Sequence, residues 1–379
     1  MSKARIAIIS PYFSSGGGGD SLTAWTIQAL KGYYDISLFT CYKVDISDFN
    51  KIYGTSLLIE DVEVIRPPLS FLFKVISGFG MLKYHFLVRY FKKNKTKFDV
   101  VFGTYKEVYF GIKGIQYIHF PELYKGDQDL DFLSKQYYNN SFLRLMYQNF
   151  CYFISGFDRE KMKNNITLTN SNWTKDKIKE IMGIESRVVY PPVLDDIVKM
   201  PWGGKKNGFI CIGRICPEKR TKVIIKIIGL VREAGFDAHI HIIGSIGERK
   251  YYNDIRRFQK NNPWIILEGS VDRKNLTSMI SEYKYGINGR KDEHFGIVVA
   301  EMIKGGCIVF VPNNGGQVEI IDDEQLTFKD INDAVQKIIS VLKDKDLQYR
   351  MQKKLSGRAA LFSVDRFTRE IREIIKELQ

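Results

Sequence analysis

The feature that most constrains this chain is an alternation of short, β-branched apolar runs with stretches of helical period, repeated from one end to the other. In the first half the expected strands are Arg5 to Ser10, Ile36 to Thr40, Val62 to Ile65, Val100 to Gly103, Gln116 to His119, Thr167 to Thr169 and Val188 to Tyr190. Helical patterns from Ser21 to Lys31 and from Asn172 to Met182 lie between them. Such alternation is the mark of βαβ units and parallel sheets. The pattern breaks at Pro191-Pro192 and again at Pro201-Trp202-Gly203-Gly204-Lys205-Lys206-Asn207-Gly208, the best linker in the chain. It then restarts with strands at Phe209 to Ile212, Ala238 to Ile243, Ile265 to Glu268, Tyr285 to Asn288 and Val309 to Val311, and helices at Thr221 to Ala234 and near Tyr252 to Asn261. Three helical patterns, from Ile331, Lys345 and Val364, close the chain. The expectation is an α/β protein of two Rossmann-like domains facing a cleft, residues 1–198 and 199–362, with 363–379 as a C-terminal helix returning to the first. No internal repeat or low-complexity tract interrupts this.

At 379 residues each domain can bury its own core. The net charge of +14 favours an anionic partner: nucleic acid, a membrane surface or a phosphorylated substrate. Five cysteines (Cys41, Cys151, Cys211, Cys216, Cys307) show neither zinc spacing nor an even count, which suits a reducing cytoplasm. The apolar start ends at Pro11, too early for a signal peptide, and no run reaches membrane-spanning length.

Several loops at strand ends could carry chemistry. Glu293 and Glu301 stand on either side of an expected helix start, with a helix from Ile297 to Lys304 closed by Gly305-Gly306. Its first backbone N–H groups, at Gly296, Ile297 and Val298, would face a bound diphosphate, aided by the helix dipole. An acidic helix start with one exposed glutamate explains those residues equally well when they are taken alone. Gly213-Arg214-Ile215-Cys216-Pro217-Glu218-Lys219 follows the first strand of the second domain, where Arg214 and Lys219 can meet phosphate. Asn313-Asn314-Gly315-Gly316-Gln317 follows a later strand and offers a backbone-rich anion site. In the first domain, the loop Ser10 to Asp20 holds Gly16, Gly17, Gly18 and Gly19 at the end of the first strand, lacking both the Walker and the Gly-x-Gly-x-x-Gly signatures. His119 ends another strand and suits either a sugar contact or a purely structural hydrogen bond. Asp127-Gln128-Asp129 reads as a solvated loop, not a metal motif. Residues 68–98 mix apolar and basic side chains without one acidic residue, which fits either a helix on an anionic membrane or an ordinary sheet-covering helix.

Taken together, the Glu293-His294-Phe295-Gly296 to Glu301 stretch, the Gly213-Arg214 to Glu218-Lys219 segment, the glycine loops and the closing Phe362-Ser363-Val364-Asp365-Arg366-Phe367 resemble retaining glycosyltransferase family 4, of GT-B architecture, over essentially the whole chain. Pro11-Tyr12, Asn170 to Lys175 with Val189-Tyr190-Pro191-Pro192, and His294 to Ile297 are most similar to α-1,2-mannosyltransferases that extend dolichol-linked oligosaccharides from GDP-mannose. The resemblance implies that Arg214 and Lys219 neutralise the donor diphosphate, Glu293 contacts the donor sugar and Glu301 holds the ribose. Gly16, Gly17, Gly18, Phe295, Gly296, Ile297 and Val298 would complete the donor site, His119 would lie near the reacting face, and Tyr12 and Asp20 would serve the acceptor. The catalytic set is then Glu293, His119, Lys219 and Arg214, with no metal and no cofactor beyond the nucleotide-sugar substrate. The implied partners are a nucleotide sugar, a glycan or lipid-linked acceptor and an anionic membrane surface through 68–98, but no nucleic acid, in a cytoplasmic protein peripheral to the membrane. Asp20 replaces a glutamate, Lys304-Gly305-Gly306 replaces small residues, and the amino-terminal membrane helix of eukaryotic members is absent from this sequence. The alternatives are a UDP-sugar donor (glucose, N-acetylglucosamine or galactose), a GT-B sugar-nucleotide epimerase, and a basic nucleic-acid-binding protein.

Overall fold

A computed structural model describes residues 3–11, 18–68, 70, 79–121 and 141–378, without the side chains of 141 and 144. The chain forms two compact units, one gathering the residues up to Pro192 with Val364–Gln379, the other Val193–Ser363. Tyr12, Gly16, Gly17 and the Asp127-Gln128-Asp129 motif lie outside the described residues, as does most of 68–78.

In the first unit the strands β1 (Arg5–Ile9), β2 (Asp35–Phe39), β3 (Glu63–Ile65), β4 (Val100–Gly103), β5 (Ile115–Ile118), β6 (Ile166–Thr169) and β7 (Arg187–Val188) form one parallel sheet in the order β3-β2-β1-β4-β5-β6-β7. Nearly every residue of the central strands is buried, as expected where helices cover both faces. The chain reverses direction across the sheet between β1 and β4, so the loops after those two strands flank a switch point. Helix Val364–Lys376 packs on Gly18–Leu30, with Phe367, Ile371, Ile374 and Ile375 buried. Arg372 Nε donates to the Ala29 carbonyl at 2.6 Å, tying down the end of the earlier helix.

The second unit holds β8 (Lys206–Ile212), β9 (Ile240–Ile243), β10 (Ile265–Gly269), β11 (Tyr283–Ile287), β12 (Ile308–Pro312) and β13 (Thr327–Phe328), all parallel, in the order β10-β9-β8-β11-β12-β13. Its switch point falls between β8 and β11. Lys205 is buried beneath the sheet, and its ammonium donates to the Ile280, Tyr283 and Gly305 carbonyls at 3.3, 3.3 and 2.8 Å, so a charge with no carboxylate partner is satisfied by peptide dipoles.

The basic stretch near residue 90 resolves into helix Gly80–Lys92, whose Tyr84, Leu87, Val88 and Phe91 enter the core against Phe39, Phe98 and Phe110. Several cations on it and just after it are used internally. Lys83 Nζ donates to the Tyr42 hydroxyl at 3.1 Å, and Lys95 Nζ caps the Gly111 carbonyl at 2.8 Å. This helix is sheet-covering, the second of the two forms open to it from sequence, because the lysine stems lie along the core and their heads find carbonyls and a hydroxyl.

Candidate functional site

Four loops at the carboxyl ends of β8, β9, β11 and β12 build the site of the second unit. Gly213 follows β8 with φ +147, and Gly244 follows β9 with φ +149. A side chain at Gly244 would lie 2.1 Å from the Gly213 carbonyl oxygen, so only glycine lets the two loops run together. They stay joined through Ile215 N–H to the Ser245 carbonyl (2.8 Å) and Gly247 N–H to the Ile215 carbonyl (3.1 Å). The Gly244-Ser245-Ile246-Gly247 loop went unrecognised in the sequence, although its place after a strand and its paired glycines are the usual signal. Arg214 is exposed and makes no ion pair among the described residues. It is therefore a cation at these strand ends that is open to an incoming anion.

Lys219 lies at the end of the β8 loop, and Glu293 in the loop after β11, on either side of the switch point. Lys219 Nζ meets Glu293 Oε2 at 2.8 Å, and Arg290 approaches Oε1 at 3.7 Å. The two side chains of the closer pair are only 18% and 12% exposed, so this ion pair is largely removed from solvent screening. Burial alone would raise the Glu293 pKa, but Lys219 and Arg290 together bring it from 4.5 down to about 2. At neutral pH Glu293 is a carboxylate, able to accept hydrogen bonds and too weak a base to shuttle protons. Because the folded pKa lies below the unfolded one, the pair stabilises fully above pH 4.5, and that contribution is lost as pH falls toward 2. Parallel denaturant titrations are expected to show the parent losing about 3 kcal/mol more across that window than Glu293→Gln. Equal acid sensitivity would show that the pair is not formed.

Glu293 is fixed from behind by the loop after β12. Gly316 N–H donates to the Glu293 carbonyl at 2.7 Å, and Gly315 pairs with Glu293 as an isolated parallel bridge. Gln317 is fully buried, donates to the Arg290 and Asn314 carbonyls (2.7 and 3.1 Å) and accepts from Asn288 Nδ2 (2.8 Å). Asn288 and Gln317 thus lock the two loops together. Both occur within stretches picked out from the sequence, but their mutual bond spans distant positions and could not be read there.

Helix Ile297–Lys304 begins at Gly296, whose φ of +106 turns the chain into it, and Val299 N–H already bonds the Gly296 carbonyl at 2.9 Å. The N–H groups of Ile297 and Val298 have no acceptor within the helix and form its positive end. The Phe295 ring is buried against Phe362, centroids 5.6 Å apart, so its contribution to a site is limited to the main chain.

Glu301 is buried, and one of its oxygens accepts from Arg273 Nη1. Burial raises its pKa, and the guanidinium opposes this. The same Arg273 grips Asp196 bidentately at 2.7 and 2.8 Å, while Lys304 reaches Asp195 at 2.6 Å and the Val193 carbonyl at 2.7 Å. The first residues of this unit are therefore clipped to the helix that carries Glu301. Nothing in the sequence marks Arg273, since its partners lie 28 and 77 positions away. Arg273→Ala would strand the buried Glu301 carboxylate, and a loss of about 2 kcal/mol is expected, reduced from the fully buried case because Arg273 is partly solvated. Chemical denaturation checks this, and an unchanged midpoint would contradict it.

In the first unit Gly18 opens helix Gly18–Leu30, and Asp20 in its first turn is buried and accepts from the Tyr53 hydroxyl at 3.4 Å. His119, after β5, sets Nε2 at 3.0 Å from the Thr104 carbonyl, beside the β1–β4 switch point. A carbonyl can only accept, so Nε2 carries the proton and Nδ1 is the acceptor. Burial pulls the His119 pKa down to about 4, against a smaller opposing pull from Thr104 and Asp20, and the ring is neutral at physiological pH. Among the described residues no three His, Cys, Asp or Glu side chains stand together as metal ligands, and no helix is long and apolar enough to cross a membrane.

Residues 195–357, nearly all of the second unit, match the family described as Glycosyl transferases group 1. The GDP-Man:Man(3)GlcNAc(2)-PP-Dol alpha-1,2-mannosyltransferase of Dictyostelium discoideum is 22% identical over an alignment covering 100% of this chain and 85% of that protein. The human protein of the same name is 22% identical, covering 96% and 84%. Among solved structures, Anabaena Alr3699/HepE in complex with UDP and glucose superposes with a TM-score of 0.68 at 14% identity, covering 98% of this chain and 99% of that one. A glycosyltransferase from Rickettsia africae gives 0.66 at 18%, covering 99% and 98%. With two parallel-sheet units, strand-end loops at each switch point and these likenesses along its length, the chain is an enzyme of the GT-B fold whose second unit is similar to the group 1 glycosyl transferases.

Proposed function

We propose that the protein transfers mannose from GDP-mannose to a hydroxyl of a lipid-linked glycan, with retention at the anomeric carbon and without a metal ion. The observation that carries this reading is the Lys219–Glu293 pair at the β8/β11 switch point, beside the N-terminal end of helix Ile297–Lys304. A nucleoside diphosphate sugar needs cations and N–H donors at its phosphates and an acceptor for its sugar hydroxyls, and these loops offer all three within one unit. Arg214, Lys219 and the Ile297 and Val298 N–H groups would hold the diphosphate. Glu293 would accept from the sugar, and Glu301, oriented by Arg273, from the ribose. The bond between the anomeric carbon and the β-phosphate oxygen breaks, one to the acceptor oxygen forms, and the acceptor's proton passes to the departing diphosphate. The same groups that bind the diphosphate then stabilise the charge of departing GDP, which is the work a metal would otherwise do. Neutral His119, with Gly18 and Asp20, is assigned to the sugar and acceptor side from its strand-end position. The choice of mannose, GDP and a lipid-linked acceptor is supported by what the curated relatives are named for, and with such an acceptor the reaction would take place at a membrane surface.

A donor screen tests the reading. GDP-mannose, UDP-glucose, UDP-N-acetylglucosamine and UDP-galactose are offered with a lipid-linked oligosaccharide, and nucleotide release is followed. Turnover with GDP-mannose that depends on acceptor is expected. Release from a UDP-sugar alone would move the assignment to that donor, and donor conversion without any acceptor would make the protein an epimerase.

A further inference from the structure

Helix Ser141–Ser155 has one accounted face and one unexplained face. On the inner side Cys151 is buried, Tyr147 stands edge-on to Phe79 with centroids 5.7 Å apart and accepts from Leu82 N–H at 3.1 Å, and Ser155 Oγ pairs with His85 Nδ1 at 2.7 Å. On the outer side Phe142, Leu143, Leu145, Met146, Phe150 and Phe153 are each 54–80% exposed. Positions 142, 145, 146, 150 and 153 recur at helical spacing, so they form one stripe along the helix. Surface helices carry charge on the face turned to water, and a contiguous apolar stripe of this kind marks an interaction site.

The chemistry around the stripe selects its occupant. The helix contains no acidic residue, and neither does the packed neighbouring run from Gly80 to Phe98. Arg89 Nη1 donates to the Ile154 carbonyl at 2.8 Å, which fixes an exposed guanidinium at one end of the stripe, while Lys92 Nζ is taken up by the Ser155 and Gly156 carbonyls at 2.7 and 2.9 Å. Lys93 and Lys97 follow, both exposed. Large aromatic and aliphatic side chains bordered by cations match an anionic bilayer, whose acyl boundary accepts apolar groups of any shape and whose phosphates meet the cations. At 15 residues the helix reaches about 22 Å, short of the hydrocarbon thickness, so it would lie in the interface and not span it.

We propose that the Phe142–Phe153 face of helix Ser141–Ser155 docks in the interface of an anionic lipid bilayer. The inference builds on the lipid-linked acceptor proposed above and moves the membrane contact from the buried face of Gly80–Lys92 to this helix. Flotation of the full chain with vesicles tests it, using phosphatidylcholine alone and phosphatidylcholine with about 30% phosphatidylglycerol. The parent floats with the anionic vesicles. Phe150→Glu combined with Phe153→Glu, both at exposed positions, lowers the bound fraction about tenfold, and Lys93→Glu with Lys97→Glu lowers it less. Circular dichroism confirms that both variants fold. No flotation of the parent, equal flotation of the phenylalanine variant, or equal binding to neutral vesicles overturns the proposal. So does a parent that is dimeric in solution and becomes monomeric with the phenylalanine changes, since a second copy would then cover the face. Turnover of GDP-mannose on a water-soluble acceptor by the phenylalanine variant reports on the catalytic reading separately.

Discussion

Lys219→Ala is expected to lower kcat/KM for the donor by about 10²- to 10³-fold while the chain stays folded. Lys219 lies in the loop after β8, and its ammonium is held by Glu293 at 2.8 Å, in place before any ligand arrives. Charge developing on the departing diphosphate is stabilised most by groups that need no reorganisation, and a preset ammonium with limited exposure is one. Removal also leaves Glu293 in a site only 12% exposed, with Arg290 at 3.7 Å as its remaining cation. Some stability is lost as well, and comparison with Glu293→Gln, which removes the other half of the pair, separates the two effects. Both variants should retain the circular dichroism of the parent. Near-parental turnover in both would remove the pair from the catalytic machinery.

The second large effect is expected from Gly315→Ala, a change that touches no ligand. The added carbon would lie 2.6 Å from both the N and the O of Glu293, and the position has φ +90, so the side chain is strained as well as obstructed. Strain of this kind costs about 1–3 kcal/mol. The loop has one direction of relief, which is to push the Glu293 backbone away from Gly315 and break the 2.7 Å bond from Gly316 N–H. Displacing a substrate-contacting group by about 1 Å can cost about 10²-fold in rate. Gly315→Ala should therefore lose activity well beyond its loss in thermal midpoint. Gly183→Ala, at a positive φ with no neighbour within reach of a new side chain, is the control that carries the strain alone. If the two variants behave alike, the Gly315 contact does not position Glu293.

Most of the fold was legible because its signals are local. Helix Ile297–Lys304 appears with the bounds read from sequence, since Gly296 and Gly305-Gly306 punctuate it, and helices Asn172–Met182 and those starting at Ile331, Lys345 and Val364 follow their apolar period. β13 escaped notice because two residues, Thr327 and Phe328, carry no periodicity. Within the site, the groups on strand-end loops could be named from position and type. Those acting through long-range pairs could not: Arg273 on Glu301 and Asp196, Gln317 on Asn288, and Gly244 against Gly213 become visible only once the strands are side by side. Residues 80–98 were ambiguous for a related reason. A lysine that caps a carbonyl and a lysine that meets a phosphate look the same in a sequence, and Lys92 and Lys95 do the former.

The central claim is that the loops at the carboxyl ends of β8, β11 and β12 hold the donor diphosphate. Calorimetric titration of GDP into the parent and into Lys219→Ala tests it most directly, because the nucleotide contains the diphosphate without the sugar. GDP is expected to bind the parent and to bind the variant at least about tenfold more weakly, the loss of one charge-assisted contact. Equal affinity in the two proteins would contradict the account.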